Sequence, residues 1–306
     1  MKDIIPPVSK DILEKELTKD KFVKTTNFGG NEIYIVTYHD SPNVLNEIGR
    51  LREISFRDAG GGTGKEIDLD DYDVCENCYK QLVVWSPKDR ELLGGYRYIH
   101  CKEAIDTSGK VNIATASLFN FSDKFILDYL PYTIELGRSF VQPAYQSTAA
   151  SRKGLFALDN LWDGLGALVV KHPDVKYFFG KVTMYRNYNP EARNFLLYFL
   201  HKYFSDKEKL VTPLEPIPIN IDIQEMERVF TGTGYLEDYK VLALKVKLFG
   251  ENIPPLINAY MNLSPTMKAF GTVQNHHFGS VEETGILVTI SDIYDSKKNR
   301  HIGGGV

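Results

Sequence analysis

Apolar and polar positions along this chain follow two different periods, and the switches between them outline its elements. Residues 31–38 (NEIYIVTY) are β-branched and aromatic, as in a strand. Val44, Leu45, Ile48 and Leu51 then recur at helical spacing behind Ser41-Pro42, a capping residue followed by a proline suited to a first turn, so 42–56 reads as a helix. Runs at 79–85 (YKQLVVW) and 91–100 (ELLGGYRYIH) flank the turn Ser86-Pro87-Lys88-Asp89 and predict a hairpin. A strand at 132–141 (YTIELGRSFV) leads into a long helix near 153–171, followed by a strand at 176–182 and a helix at 190–204. Beyond a proline-rich connection (Pro213, Pro216, Pro218) lie more helix, the segment Ile253-Pro254-Pro255-Leu256 and a closing strand at 285–292.

This order predicts an α+β fold around a mixed sheet. The chain divides into an N-terminal segment, 1–41, a core, 42–204, and a C-terminal extension, 205–306, that completes the same domain. With 43% apolar and 25% charged residues the composition is that of an ordinary globular protein, able to bury a sizeable core. A net charge of −4 argues against a broad nucleic-acid surface, which needs a basic excess. No stretch approaches the roughly 18 consecutive apolar residues of a membrane span, and the first residues lack the apolar region of a secretory signal. Three cysteines fit a reducing compartment better than a disulfide framework. The expected location is therefore the cytoplasm, with peripheral contact at the inner membrane left open.

Several tempting signals fail. Ala59-Gly60-Gly61-Gly62-Thr63-Gly64-Lys65 suggests a phosphate-binding loop, but Ala59 stands at its first glycine and Glu66 where Ser or Thr is needed. A mobile loop over the active site is the expectation instead. Cys75-x-x-Cys78 has no second ligand pair, and Cys101 alone does not make a zinc site, so no metal is expected. His276-His277, read as part of a strand, would point to opposite faces, one buried and one exposed. The aromatic run Phe195 to Leu200 reads as core.

One spaced constellation carries chemistry: Arg52-x-x-x-Phe56, Asp70-x-x-Asp73, Arg97 at the end of Gly94-Gly95-Tyr96-Arg97, and Glu135-x-x-Arg138. Each member alone has a structural reading as a surface charge, a solvated loop or a salt bridge. Taken in order, with a strand before Glu135 and a long helix after it, they resemble the branch of the GNAT superfamily that holds acyl-homoserine lactone synthases and the N-acyltransferases of ornithine and glycine lipids. Some of its members carry the label haemolysin. The resemblance spans roughly residues 45–200. Ile253-Pro254-Pro255-Leu256-Ile257-Asn258-Ala259-Tyr260 resembles a segment of the lipid N-acyltransferases rather than of the lactone synthases.

The resemblance implies a GNAT-like fold, a splayed mixed sheet flanked by helices, with the acyl thioester in the splay. Attack by an amine requires a proton acceptor, and Glu135 is the expected one. The oxyanion needs a donor, expected from a backbone N–H of the same strand between Ser139 and Val141. Arg52 and Arg97 are expected to orient Asp70, Asp73 or polar groups of the substrate, and Arg138 to pair with a carboxylate, because a guanidinium fork grips carboxylates bidentately.

The donor site departs from the usual pattern. Coenzyme-A-dependent relatives carry a glycine-rich loop whose amides cradle a pyrophosphate at a helix N-terminus. The corresponding stretch here, Gln146 to Ser151, has lost both glycines. An acyl carrier protein presents a single phosphate, which Arg152 and Lys153 are expected to meet together with the acidic carrier surface. No tightly bound cofactor is expected; the donor is an acyl-phosphopantetheine on acyl carrier protein, with coenzyme A as the alternative. The implied reaction moves a long, 3-hydroxylated acyl group onto an amino acid, glycine before ornithine or lysine, in aminolipid synthesis. Its rivals are a lactone-type synthase and a non-catalytic, haemolysin-like membrane-active protein.

Overall fold

The computed structural model describes residues 1–106, 108–146, 156–219, 221–232 and 234–302. In chain order its elements are α1 (Lys10–Glu16), β1 (Phe22–Thr25), β2 (Glu32–Val36), α2 (Pro42–Asp58), α3 (Asp71–Val74), β3 (Lys80–Ser86), β4 (Glu91–His100), β5 (Phe119–Phe121) and β6 (Thr133–Val141). There follow α4 (Ala157–Lys171), β7 (Tyr177–Met184), α5 (Pro190–Phe204), β8 (Val211–Pro213), α6 (Ile223–Val229), α7 (Tyr235–Leu248), α8 (Pro255–Met261), β9 (Lys268–Asn275), β10 (Val281–Thr289) and α9 (Asp295–His301).

Eight strands form one mixed sheet in the order β1-β2-β3-β4-β6-β7-β10-β9, and β5 pairs with β8 in a small second sheet. Within the large sheet β6 and β7 run parallel; the other neighbours are antiparallel. Strand periodicity sorts the side chains. Leu82 and Val84 of β3, Tyr96 and Tyr98 of β4 and Phe178 and Val182 of β7 join the largest core, under α4 and α5. Val83 and Trp85 point to the opposite face, into a core with α1 and α2. Tyr79, Ile99 and Phe179 share that second face but enter a third core with β5 and β8. Each fully buried Leu or Phe in these clusters is worth roughly 1.5–3 kcal/mol against exposure.

Local signals set several boundaries. Asn189 accepts the amides of Glu191 and Ala192 and, with Pro190 in the first turn, starts α5 where the pattern predicts. The aromatic run inside α5 is core, with Phe195, Leu196, Leu197, Phe199 and Leu200 all buried. At α2 the predicted boundary holds but the cap differs. Ser41 makes no side-chain cap; the carboxylate of Glu16, from α1, accepts the amides of Asn43 and Val44 at 3.3 and 2.9 Å.

Buried Glu53 anchors the Gly60–Gly64 loop by accepting the amides of Thr63 and Gly64 and the Thr63 hydroxyl. Two expectations are corrected. His276 and His277 lie in the turn between β9 and β10, not in a strand, and both are exposed. Gly279 and Ser280 adopt positive φ there and end the strand pattern. The closing strand ends at Thr289, and a short 3-10 turn occupies Ile290–Asp292. Among the described residues no helix is long and apolar enough to cross a membrane.

Candidate active site

The parallel pair β6 and β7 stays in register from Thr133–Tyr177 to Leu136–Gly180 and then parts. Beyond that point β6 follows β4 as far as Val141–Gly94, while β7 follows β10 as far as Met184–Glu282. The sheet is therefore splayed at its centre. Gly180 sits at the vertex, where a Cβ would stand 2.6 Å from the Leu136 carbonyl oxygen, so only glycine allows the last pair to close.

One strand of the splay is also bulged. Gly95 pairs with Phe140 and Arg97 with Gly137, which leaves Arg138 and Ser139 opposite the single residue Tyr96. Arg138 carries the bend at φ 51°. A bulge leaves its extra residue without a ladder partner and re-aims the local backbone. The close approach of β4 that accompanies it needs Gly94, whose Cβ would lie 2.4 Å from the Phe140 carbonyl oxygen.

Behind the bulge the second face of the sheet carries a buried charged seam between its two apolar cores. Arg52 of α2 and Asp73 of α3, both fully buried, pair at 3.2 Å, and Gln81 bridges them at 2.5 Å from Arg52 and 2.9 Å from Asp73. Arg97 donates to Asp70 at 2.6 Å and to Asp73 at 3.0 Å. Arg138 lies 3.1 Å from Asp68 and 3.7 Å from Asp70, with its guanidinium 4.2 Å from the centre of the Phe278 ring. Burial pushes the Asp73 carboxyl up, but Arg52 and Arg97 outweigh it and hold the group below the usual carboxylate range. For Asp68 burial prevails over Arg138 and Arg52, and its carboxyl is raised. Asp70 also opens α3, where its amide bonds the Asp73 carboxylate at 3.2 Å. Five of the six residues singled out as catalytic thus form one network. Asp68 is a member that the motif reading did not include.

Glu135 stands apart from that network. Its carboxylate, 1% exposed, accepts from the Tyr79 hydroxyl and from the amides of Ala114 at 3.2 Å and Thr115 at 2.9 Å. Burial, and then the neighbouring carboxylate, push the Tyr79 hydroxyl far above its ordinary pKa. Glu135 does not line the cavity described next.

A cavity of about 350 Å³ occupies the splay. Toward α4 its wall is apolar: Leu136, Leu158, Leu161, Trp162, Leu165, Pro254, Pro255, Leu256 and Tyr260. Toward α2 it is charged and polar: Arg138, Lys181, Glu283 and the Thr183 hydroxyl, with Phe56, Tyr185 and Phe278 beside them. Lys181 and Glu283 form a buried ion pair. Glu283 is held further by Asn275 at 2.8 Å and by the Thr183 hydroxyl at 3.4 Å. Burial depresses the Lys181 ammonium, Glu283 opposes that, and Arg138 adds to it. Sequence reading missed this pair. The available signal was a charge set inside an apolar strand, Lys181 in YFFGKVTM and Glu283 in VEETGILV.

Of the expected donor-binding residues, Ser139, Val141 and Gln146 line the cavity, and the Gln146 side chain donates to the Val141 carbonyl at 2.8 Å. Arg152 and Lys153, with Ser147 to Ser151, lie outside the described residues. Cys75, exposed, and Cys78 and Cys101, buried, are free thiols. His100, His172 and Asp174 bring three potential metal ligands within 4.8 Å of one another beyond the far end of α4, where Lys102 already pairs with Asp174 at 2.6 Å.

The family model of the acetyltransferase (GNAT) domain matches residues 51–153. The chain is 59% identical over 99% of its length to a glycine N(alpha)-acyltransferase of Phocaeicola vulgatus, covering 93% of that protein. It is 56% identical, again over 99% of its length, to a glycine N(alpha)-acyltransferase of Bacteroides thetaiotaomicron, covering 90% of it. Among solved structures the AHL synthase LasI is similar at a TM-score of 0.42 and 12% identity, over 90% of this chain and 96% of that one.

Proposed function

Because the chain belongs to the GNAT N-acyltransferase family that includes these two glycine N(alpha)-acyltransferases, we propose that it moves a long, 3-hydroxylated fatty acyl group from acyl carrier protein to the α-amine of glycine. The product would feed aminolipid synthesis. The observation that carries this reading is the cavity in the splay, which joins an apolar wall to a charged one at the bulge of β6. An acyl chain can lie against Leu161, Trp162, Leu165 and Tyr260 while its thioester carbonyl meets the bulge. A backbone N–H of the bulge at Arg138 and Ser139 then donates to the developing oxyanion, a contact worth about 10² or more in rate at such sites.

The remaining residues take supporting parts. Arg52, Asp70, Asp73 and Arg97 fix the backbone behind the bulge through their buried pairs. Glu135 ties β6 to the 114–115 segment and is a positioning residue. Glycine is favoured because Asp70 and Asp73 are already engaged by arginines and have little charge left for the second ammonium of ornithine or lysine. The acyl carrier protein as donor rests on the loss of the pyrophosphate-cradling glycines between Gln146 and Ser151 and on the cations Arg152 and Lys153 after them. A membrane-active protein without catalysis is set aside, since the chain is an N-acyltransferase.

The test gives purified protein an equimolar mixture of glycine, serine, ornithine and lysine, with the same 3-hydroxyacyl group on acyl carrier protein or on coenzyme A. Mass spectrometry should find acyl-glycine as the main product and faster turnover with the carrier protein. Dominant acyl-ornithine or acyl-lysine would remove the glycine assignment, and equal kcat/KM with both donors would remove the carrier assignment.

A further inference from the structure

We infer that the buried Lys181–Glu283 pair is the acceptor site, binding a zwitterionic α-amino acid with its carboxylate on Lys181 and its ammonium on Glu283, and that Glu283 takes the proton the amine must lose. The inference rests on the acyl-transfer reading above and concerns which residues receive the second substrate.

Position supports it first. Lys181 follows Gly180, the last residue of β7 to pair with β6, so it is the first side chain beyond the vertex of the splay. It lines the same cavity as Arg138 and Ser139 of the bulge, where the thioester carbonyl would be held. Glu283 projects from β10, opposite Thr183, and both partners line the charged wall of the cavity.

Electrostatics supports it second. A buried ion pair is no more stabilising than a well-packed apolar pair of similar volume, so its presence in a cavity calls for another reason. The pair already has the charge arrangement of a zwitterion's counterpart, one cation and one anion side by side. An entering amino acid replaces the pair's internal contact with two substrate contacts, and no net charge is brought into the cavity. Burial and Arg138 both disfavour the Lys181 ammonium and Glu283 opposes them, so an additional carboxylate is favoured there. Glu283 stays oriented when Lys181 turns to the substrate, because Asn275 and the Thr183 hydroxyl hold it independently. Glu135 offers no comparable site: its carboxylate is enclosed by Tyr79 and two backbone amides and is absent from the cavity wall.

The step balances without any further reagent. The acceptor ammonium gives one proton to Glu283; the free amine attacks the carbonyl carbon and forms the C–N bond. Collapse of the tetrahedral species breaks the C–S bond, and the second amine proton leaves with the sulfur as thiol. Glu283 then returns its proton to solvent, and the products are an amide and a pantetheine thiol. The arrangement also selects its substrate class. A free α-carboxylate and an α-ammonium on one carbon are both required, while a second charged group would find no counter-charge in the pair.

The test uses the full chain with one thioester donor and compares glycine with glycinamide, which keeps the amine and lacks the carboxylate. Lys181→Met should raise KM for glycine by about 30-fold or more, the loss of one buried charge contact, and change glycinamide little. Glu283→Gln should lower kcat with both acceptors by about 10²-fold and leave KM for the donor near wild type. Each single change leaves a buried charge alone, so the doubly neutral Lys181→Met/Glu283→Gln variant is made as well. That variant should retain the thermal midpoint and donor binding of the wild type while losing the preference for glycine over glycinamide. The inference is overturned if the double variant keeps that preference and a kcat within threefold of wild type. It is equally overturned if Glu135→Gln, and not Glu283→Gln, removes the about 10²-fold of kcat. A wild-type protein that acylates no amino acid from any thioester would instead defeat the proposed function itself.

Discussion

Arg52 and Asp73 are fully buried charges whose balance decides much of the behaviour of the seam. Removing Arg52 takes away one of the two guanidinium groups that compensate buried Asp73 and strands the Gln81 carbonyl that it meets, so Arg52→Ala should cost up to about 3–5 kcal/mol of stability, measured by urea unfolding. The pH dependence follows from the same pair. The folded pKa of Asp73 is held below its ordinary 3.8, because the two arginines outweigh burial. Its contribution is then complete above that value and is lost as pH falls through the lower folded pKa. Asp68 acts in the opposite sense: burial raises its carboxyl, so protonating it on acidification relieves the fold. Asp73→Asn should therefore flatten the fall of the thermal midpoint below about pH 4; an unchanged slope would show that other carboxylates control acid unfolding. At this scale the motif exposed Arg52, Asp70, Asp73, Arg97 and Arg138, because their spacing follows a recognisable order. It did not expose Lys181 with Glu283, which are far apart in the chain and whose local signal is no more than a charge inside an apolar strand.

Among the elements, the vertex between β6 and β7 depends on the absence of a side chain. Gly180→Ala would force a Cβ to within 2.6 Å of the Leu136 carbonyl, so backbone must move. The expected result is a loss of about 1–3 kcal/mol, together with a raised KM for the acyl donor as the splay changes width. Wild-type donor kinetics in this variant would separate the pairing at the vertex from the shape of the site. The elements that sequence reading recovered have strong local punctuation: proline in the first turn of α2 and α5, and a turn of Ser, Pro and Asp between β3 and β4. Those it missed lack it. α3 has four residues and exists through the reciprocal bonds of Asp70 and Asp73. β9 (KAFGTVQN) is interrupted by Gly271 at φ 90°, which blurs its alternation.

For the whole molecule, the C-terminal third completes the sheet. β10 pairs with β7 from Glu282–Met184 to Thr289–Tyr177, and β9 closes the sheet beyond it. A chain ending after α5 would expose the edge of β7 with its apolar face, a template for aggregation. It should fail to give a cooperative thermal transition, whereas the full chain should unfold in one step; calorimetry of the two distinguishes them. The truncation also removes Glu283 and the wall formed by Pro254, Pro255, Leu256 and Tyr260, so no acyl transfer should remain even in refolded material.

Residue order alone specified the α+β plan, the main helices and strands and the arginine–aspartate set, because periodicity, caps and motif spacing act over short stretches of chain. Tertiary structure decided which of those residues face the cavity. A side chain's face depends on strand register, and at β6 the bulge at Arg138 and Ser139 shifts that register by one residue. The same bulge and the parting of β6 from β7 open the space in which Lys181 meets Glu283, while Glu135, a few positions earlier on β6, is turned into the third core and enclosed there. Long-range pairing between β7 and β10 creates that meeting, and although each strand carries a charge among apolar residues, neither shows locally which residue that charge will face.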